Sequence, residues 1–367
     1  MVTTITKNKI YQPTIAVPPG ETLLEILETK GITQSELAKR MGRPLKLVNE
    51  IIKGKTTITS ETAIQLEQVL GVPARLWNNL EAGYQDTKAR LSMVKSLLDE
   101  ASEAKQYPYA EMAKWKWVPA TKDIKERIRN LLSFFGVTSL NNIIETQGLA
   151  TAYYRISQKR HYSTPAIAVW LRKGTIDAQS IETDEFDNSK LLNSIGEIRS
   201  LTLESPEVFH PKLVKILSDC GVAFVVVPNL KNAPINGATR WINPKKALLQ
   251  MSIRNKYADI FWFSLFHELG HIIHHSKKTI NIDFAENRTG LPKEESEADL
   301  FASNSLIPSK NYEEFTTTGN FSIVAIKEFA KKLGIDSDIV IGRLQHDGLL
   351  PYKLNIHKSR FEWVKES

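Results

Sequence analysis

The chain has 367 residues, a hydrophobic share of 42%, a charged share of 24% and a formal net charge of +7. That length exceeds one small domain, and the balance of residue types excludes low-complexity and collagen-like classes. The single cysteine, Cys220, excludes an internal disulfide and a cysteine-rich zinc site, so any metal must be held by histidine and carboxylate. Residues Met1 to Lys7 carry no apolar signal core, and the longest apolar runs, near 260–273 and 222–228, are too short or interrupted to span a bilayer. The expectation is a cytoplasmic protein with no membrane partner. The modest excess of positive charge permits nucleic-acid binding without establishing it.

Residues 1–19 read as an arm, threonine-rich and kept out of helix by Pro13, Pro18 and Pro19. A stripe of Leu23, Leu24, Ile26 and Leu27 predicts a helix from Glu21 to Gly31. Thr33 to Glu36 reads as a capping box, with Thr33 accepting from the Glu36 amide and Glu36 reaching back. Helices over about 36–41, 44–53 and 60–70 follow, closed by Gly42, Gly54 and Gly71. The small Ala38 and the Gly42 turn make a helix-turn-helix with Leu37, Met41, Val48, Ile51 and Ile52 as its core. Between positions 40 and 55, Arg40, Arg43, Lys46, Lys53 and Lys55 face only Glu50, which favours phosphate, and Gln34 at a helix start is placed to bond one. Leu45 and Leu47 should include outward-facing positions, where leucine can touch a thymine methyl but cannot hydrogen-bond a base edge. The candidate DNA-binding residues are Gln34, Arg43, Leu45, Lys46, Asn49, Lys53 and Lys55; a protein-interaction module that lost base readout is the alternative.

The stretches Gly20–Leu23, Gly31–Ala38, Ile51–Lys55, Ile58–Ala63 and Trp77–Leu80 resemble the HigA-like branch of the Cro/C1-type (XRE) helix-turn-helix, over roughly residues 15–85. The resemblance implies a dimerising binder of double-stranded DNA that represses a promoter, often its own. A homodimer on an operator is therefore expected.

From Lys88 to Lys105, strong helix formers with Leu91, Val94, Leu97 and Leu98 predict one long amphipathic helix, broken at residues 107–109. A helix from about 122 to 135 follows, and Trp115 and Trp117 read as packing residues. So apolar a connector should dock the two ends of the chain. Helices are predicted over Ala166–Ala178, Leu191–Leu201 and Pro211–Leu217, then a buried strand over Val222–Pro228. Asn236-Gly237 reads as a turn, and Thr239–Ile242 and Ala247–Ser252 as strands joined at Asn243-Pro244. Ala247–Ser252 is the candidate edge strand for an extended peptide substrate. Arg254 and Tyr257 are candidate oxyanion donors, with an Arg254–Asp259 structural pair as the alternative.

The run from Ile260 to His275 contains His267-Glu268-Leu269-Gly270-His271 on a helix apolar on nearly every side. Two histidines four apart share one helix face, so both imidazoles can reach one zinc ion, and Glu268 is placed to take a proton from an attacking water. His274 and His275 read as solvent-facing residues at the helix end. A tetrahedral site needs a third protein ligand. After a polar loop over 276–292, a helix from Glu294 faces inward with Ala298, Ala302 and Leu306; Glu295 falls within that face, Glu294 at its edge, and Glu297 points away. Asp299, one turn after Glu295, could bond the other nitrogen of a ligating histidine.

The stretches Gly237-Ala238 with Trp241, Ser252–Arg254, Asp259–Phe263, His267–His271, and Glu295–Ala302 with Leu306–Pro308 resemble the ImmA/IrrE metallopeptidases, over roughly residues 160–350. The resemblance implies Zn2+ held by His267, His271 and Glu295, Glu268 as general base, and cleavage of a transcriptional repressor or a toxin–antitoxin partner. Residues 328–344 also align without gaps onto 36–52, matching Ala330 to Ala38, Gly334 to Gly42 and Val340 to Val48. Asp336 and Asp338 would repel phosphate there, so this echo reads as a packing element or substrate wall. The expected architecture is multidomain: an arm (1–19), an all-α helix-turn-helix domain (20–90), a helical connector (91–160), and an α+β zincin-like metallopeptidase domain (161–367) with a small sheet and a helix-turn-helix-like pair at its end. The expected function is a DNA-binding transcriptional regulator carrying a zinc metallopeptidase. The alternative is a non-catalytic antitoxin or repressor whose peptidase-like domain senses a signal or binds a toxin.

Overall fold

The structure, a computed structural model, describes residues 13–143, 162–254, 256–275, 281–284, 293–352 and 358–362. The first twelve residues of the expected arm and most of the expected loop over 276–292 lie outside the described residues. The chain divides after Ala101 into two compact units, Met1–Ala101 and Ser102–Ser367. Among the described residues, no helix is long and apolar enough to cross a membrane.

The first unit is five helices: α1 (Pro19–Lys30), α2 (Gln34–Met41), α3 (Leu45–Ile52), α4 (Ser60–Leu70) and α5 (Ala74–Ser96). Pro19 opens α1 instead of blocking it, because a proline in the first turn lacks only an amide that has no helical partner anyway. Thr33 Oγ1 accepts the Glu36 amide at 3.1 Å and starts α2. The other half of the capping box does not form: the Glu36 carboxylate pairs with Arg40, one turn on, where the bond is charge-assisted. Gly42 ends α2 at φ 63°, a left-handed conformation that costs glycine nothing. Leu23, Leu27, Leu37, Ala38, Val48, Ile51, Leu66 and Trp77 form the core. Of the two leucines expected to face outward, Leu45 is 44% exposed, while Leu47 packs against this core. The long helix α5 begins at Ala74, well before the expected Lys88, and gives way at Leu97–Glu100 to a 3₁₀ turn. The side chains of Val94, Leu97 and Leu98, on which the amphipathic reading relied, lie outside the described residues.

The second unit opens with α6 (Ala101–Ala104), α7 (Tyr109–Lys114) and α8 (Ile124–Phe135), then α9 (Thr164–Gln179), α10 (Asn188–Ser200) and α11 (Pro206–Asp219). Pro211, the expected start of a helix, lies inside α11. A mixed four-stranded sheet follows from β1 (Val222–Val226), β2 (Ile235–Asn243), β3 (Lys246–Met251) and β4 (Asn281–Phe284), in the order β1-β3-β2-β4. β1 runs parallel to β3; β2 is antiparallel to both β3 and β4. Two expectations are corrected here. Asn236-Gly237 is not a turn but lies in β2, beside a register shift between Ile235 and Gly237. Strand 246–251 is not an edge: the parallel partner β1, far back in sequence, covers its other side.

The register assigns the sheet's faces. Gly237, Thr239 and Trp241 stand opposite Met251, Leu249 and Ala247, so all six share one face. Ala247, Leu249 and Met251 on that face pack into the core that holds Trp262, Leu265, Phe266 and Leu269 of α12 (Ala258–His274). The other face receives α9, where Gln250 donates to the Trp170 carbonyl at 2.7 Å. After β4 come α13 (Lys293–Leu306), α14 (Ser309–Thr317), α15 (Ile323–Leu333) and α16 (Ser337–His346). The last two repeat α2 and α3: Gly334 ends α15 at φ 69°, and Ala330 and Val340 are buried like Ala38 and Val48. Ile339, Val340, Ile341 and Leu344 of α16 join the core of α12, as expected of a packing element. Asp338 is itself buried, accepting from the Ser359 amide.

Residues 358–362 return as a strap over the start of α12. Tyr257 and Arg360 form an antiparallel bridge, the Ala258 amide donates to Ser359 O at 3.1 Å, and Lys358 Nζ reaches Asp259 Oδ2 at 2.7 Å. Asp259 therefore pairs with Lys358, not with Arg254.

Candidate metal centre

Helix α12 buries almost every residue, the two histidines and Glu268 included. It can do so because its neighbours come close at glycine and alanine. A Cβ on Gly270 would lie 3.1 Å from Ala298 Cα, so α12 and α13 touch nearly backbone to backbone there. Ala298 and Ala302 are fully buried in that contact. Glu295 lies one turn before Ala298 and so enters the same seam.

The result is a cluster in which one atom each of His267, His271 and Glu295 lies within 4.8 Å of the others. The two Nε2 atoms are 3.0 Å apart, and Glu295 Oε2 is 3.3 Å from His267 Nε2 and 3.6 Å from His271 Nε2. Tetrahedral zinc with nitrogen and oxygen ligands spaces its ligand atoms by about 3.3–3.4 Å, so the triangle has the size the ion requires. The charges agree. Burial disfavours a proton on His267, but Asp299, Glu295, Glu268 and Asp283 overcome it and raise its pKa to about 10. Burial likewise opposes ionisation of Glu295, yet contacts from both histidines hold it well below the usual carboxylate range. Burial lowers the proton affinity of His271, against the pull of Glu295. The cluster thus favours positive charge among these atoms, of the kind a proton or a metal ion supplies.

Behind the cluster, Asp299 Oδ1 meets His267 Nδ1 at 2.8 Å, as the helical spacing predicts. Glu294 is exposed and takes no part. His275 departs from expectation: its side chain is only 4% exposed, not solvent-facing, and lies between His271 and Glu297. His274 is exposed, its ring edge-on to Phe301.

Glu268 is fully buried, and among the described residues neither carboxylate oxygen has a hydrogen-bond partner. Burial raises its pKa well above the ordinary value; Asp283 and Glu295 add to this and His267 opposes it. β2 makes room for it with Gly237, where a Cβ would stand 2.8 Å from Glu268 Cγ. Gly237→Val should therefore cost about 1–3 kcal/mol of stability by overpacking and move Glu268, measurable as a lower denaturation midpoint. An unchanged midpoint would show that the strand yields instead.

Sequence reasoning missed two residues. Asp283, directly opposite Gly237 on β4, is buried and accepts from Ser264 at 3.0 Å and Asn236 at 3.3 Å. Its only signal was the alternation of Ile282, Asp283 and Phe284 inside an otherwise polar stretch. Gly237 itself was read as a turn glycine. Two proposed residues are not brought to the cluster: Arg254 is exposed, and Tyr257 is the N-cap of α12, accepting from Arg360 at 2.7 Å. Tyr257 is ten residues before His267, roughly 15 Å of helical rise.

In the first unit, Lys46, Lys53 and Lys55 are exposed, and Gln34 and Asn49 half-buried. Arg43 is held by Glu61 and by Gln65 at 3.1 Å, and Lys46 lies 3.9 Å from Glu50.

Comparison with known proteins agrees with both units. A helix-turn-helix family model matches residues 23–77, and a peptidase family model, the IrrE N-terminal-like domain, matches residues 255–344. Virulence-associated protein I of Dichelobacter nodosus is 34% identical over 70 residues, 19% of this chain and 65% of that protein. The structure of a putative antidote protein of a plasmid maintenance system from Nostoc punctiforme is 33% identical, covering 21% of this chain and 84% of that one at a TM-score of 0.20. An addiction module antidote protein of a HigA family from Coxiella burnetii is 25% identical, covering 25% and 92%, also at a TM-score of 0.20. The chain therefore joins an XRE-type helix-turn-helix at its N-terminal end to an IrrE N-terminal-like peptidase-family domain at its C-terminal end.

Proposed function

We propose that this chain is a DNA-binding regulator whose second unit is a zinc-dependent endopeptidase acting on a protein of the same regulatory circuit, a repressor or a toxin–antitoxin partner. The observation that supports the enzyme reading is the pairing of a zinc-sized triangle, His267, His271 and Glu295, with a buried carboxylate, Glu268, that has no hydrogen-bond partner among the described residues and shares the helix of the two histidines. Zinc bound there would supply Lewis-acid polarisation of the scissile carbonyl and of the attacking water. Glu268 takes the water proton on a carboxylate oxygen and returns it to the departing amine. Its raised proton affinity suits that task, and its full burial beside Gly237 favours delivery over loss to solvent. Asp299 holds His267 by Nδ1 so that Nε2 faces the cluster. With β3 internal, the outermost strand beside the site among the described residues is β4, paired to the strand that carries Gly237. An extended peptide adding to that edge would run past Glu268.

The test is metal analysis of the purified full chain, followed by digestion of a peptide library read by mass spectrometry. Stoichiometric zinc with cleaved peptides is expected. Zinc without any cleavage favours a non-catalytic sensor; no zinc removes the enzyme reading altogether.

For the first unit, the exposed lysines supply backbone affinity and Leu45 an apolar contact to a thymine methyl. Lys53→Ala and Lys55→Ala should each weaken binding to duplex DNA uniformly across sequences. Each should also reduce the slope of log affinity against log salt by about 1. Gel shifts on the DNA upstream of its own gene, across a salt series, measure this.

A further inference from the structure

His267 and His271 both turn Nε2 toward Glu295. To accept a cation there, each ring must keep its hydrogen on Nδ1 and offer a bare lone pair at Nε2. For His267 the Nδ1 partner is the Asp299 carboxylate. For His271 it is another imidazole, His275 Nδ1, at 2.8 Å. Ring against ring leaves the proton's owner open, since either nitrogen can donate.

For a neutral His275, its second contact decides between them. His275 Nε2 is 3.2 Å from Glu297 Oε2, and an ionised carboxylate only accepts. A neutral imidazole has one N–H. Held at Nε2 by Glu297, it leaves His275 Nδ1 as an acceptor, so the hydrogen between the rings belongs to His271. The backbone enforces the arrangement: His275 is the extended C-cap of α12, its amide bonded to His271 O at 3.1 Å, and its ring is 4% exposed.

We propose that His275 and Glu297 are positioning residues that fix the metal-accepting tautomer of His271. Helix α13 thereby acts on the site twice, through Glu295 on one face and through Glu297 on another. The inference rests on the zinc reading above and concerns the ring that the reading leaves unsupported.

The experiment pairs zinc titration of the full chain against a chelator of known affinity with ¹⁵N NMR of the metal-free protein. In wild type the His271 hydrogen should sit on Nδ1. His275→Phe, which keeps a ring but no acceptor, should show mixed tautomers and bind zinc about 10–100-fold more weakly. His275→Asn, whose amide oxygen takes the place of Nδ1, should recover most of the loss. Glu297→Ala, at an exposed position that leaves the fold intact, should weaken zinc in the same direction. Wild type that binds no zinc overturns the zinc reading, while the NMR tautomer still decides the relay. A His271 hydrogen on Nε2 in metal-free wild type, or equal zinc affinity in wild type, His275→Phe and Glu297→Ala, overturns the relay alone.

Discussion

Glu268→Gln should lower kcat/KM for peptide hydrolysis by about 10²–10⁴-fold, the range lost with a positioned general base, while zinc content stays at the wild-type level. The substitution is nearly isosteric, which matters because the side chain packs so closely on Gly237 that a Cβ there would stand 2.8 Å from its Cγ. It also removes a buried carboxylate whose oxygens find no hydrogen-bond partner among the described residues. Such a group costs stability in a dry site. The variant should therefore melt no lower than wild type, and a higher midpoint would be the mark of strain kept for chemistry. Zinc content by elemental analysis and cleavage rate by mass spectrometry separate the roles. Full proteolysis in this variant would remove Glu268 from the mechanism.

Glu295→Ala should lose the metal itself. Loss of a ligand goes well beyond the about 10–100-fold that removal of an outer contact costs in affinity. Glu295 bridges both histidines, at 3.3 and 3.6 Å, and no other described carboxylate completes that triangle. Glu294→Ala, one residue away but exposed, is the matched control and should bind zinc as wild type does. Chelator competition on the two variants makes the comparison. Retained tight binding in Glu295→Ala would mean that the third ligand has been misassigned.

Much of this site is written locally. The spacing of His267, Glu268 and His271 is a property of one helix, and the choice of Glu295 over Glu297 follows from the side of α13 that carries Ala298 and Ala302. The helix-turn-helix is equally local, since capping at Thr33 and the left-handed Gly42 depend on a few neighbouring residues. What could not be read depends on partners distant in sequence. Whether β3 is an edge depends on β1 returning parallel to it. Whether Gly237 is a turn or a cradle depends on Glu268, thirty-one residues later. His275 looks solvent-facing until Glu297, on another helix, is placed beside it. The half-formed capping box is a different failure: Glu36 had two partners within reach, and the cationic one won.

The strap at residues 358–362 bears on how the domain is made. Its bonds to the start of α12 span 99 positions between Asp259 and Lys358, and 103 between Tyr257 and Arg360. Contacts so remote in sequence are slow to close and form after the local ones. At about 5–20 residues per second of synthesis, Asp259 is made roughly 5–20 s before its lysine exists. During that interval α12, apolar over most of its length, carries a carboxylate without its counter-ion at one end. The newborn chain therefore passes through a stage in which His267, Glu268 and His271 are already synthesised but the helix that bears them is not yet fastened at its start.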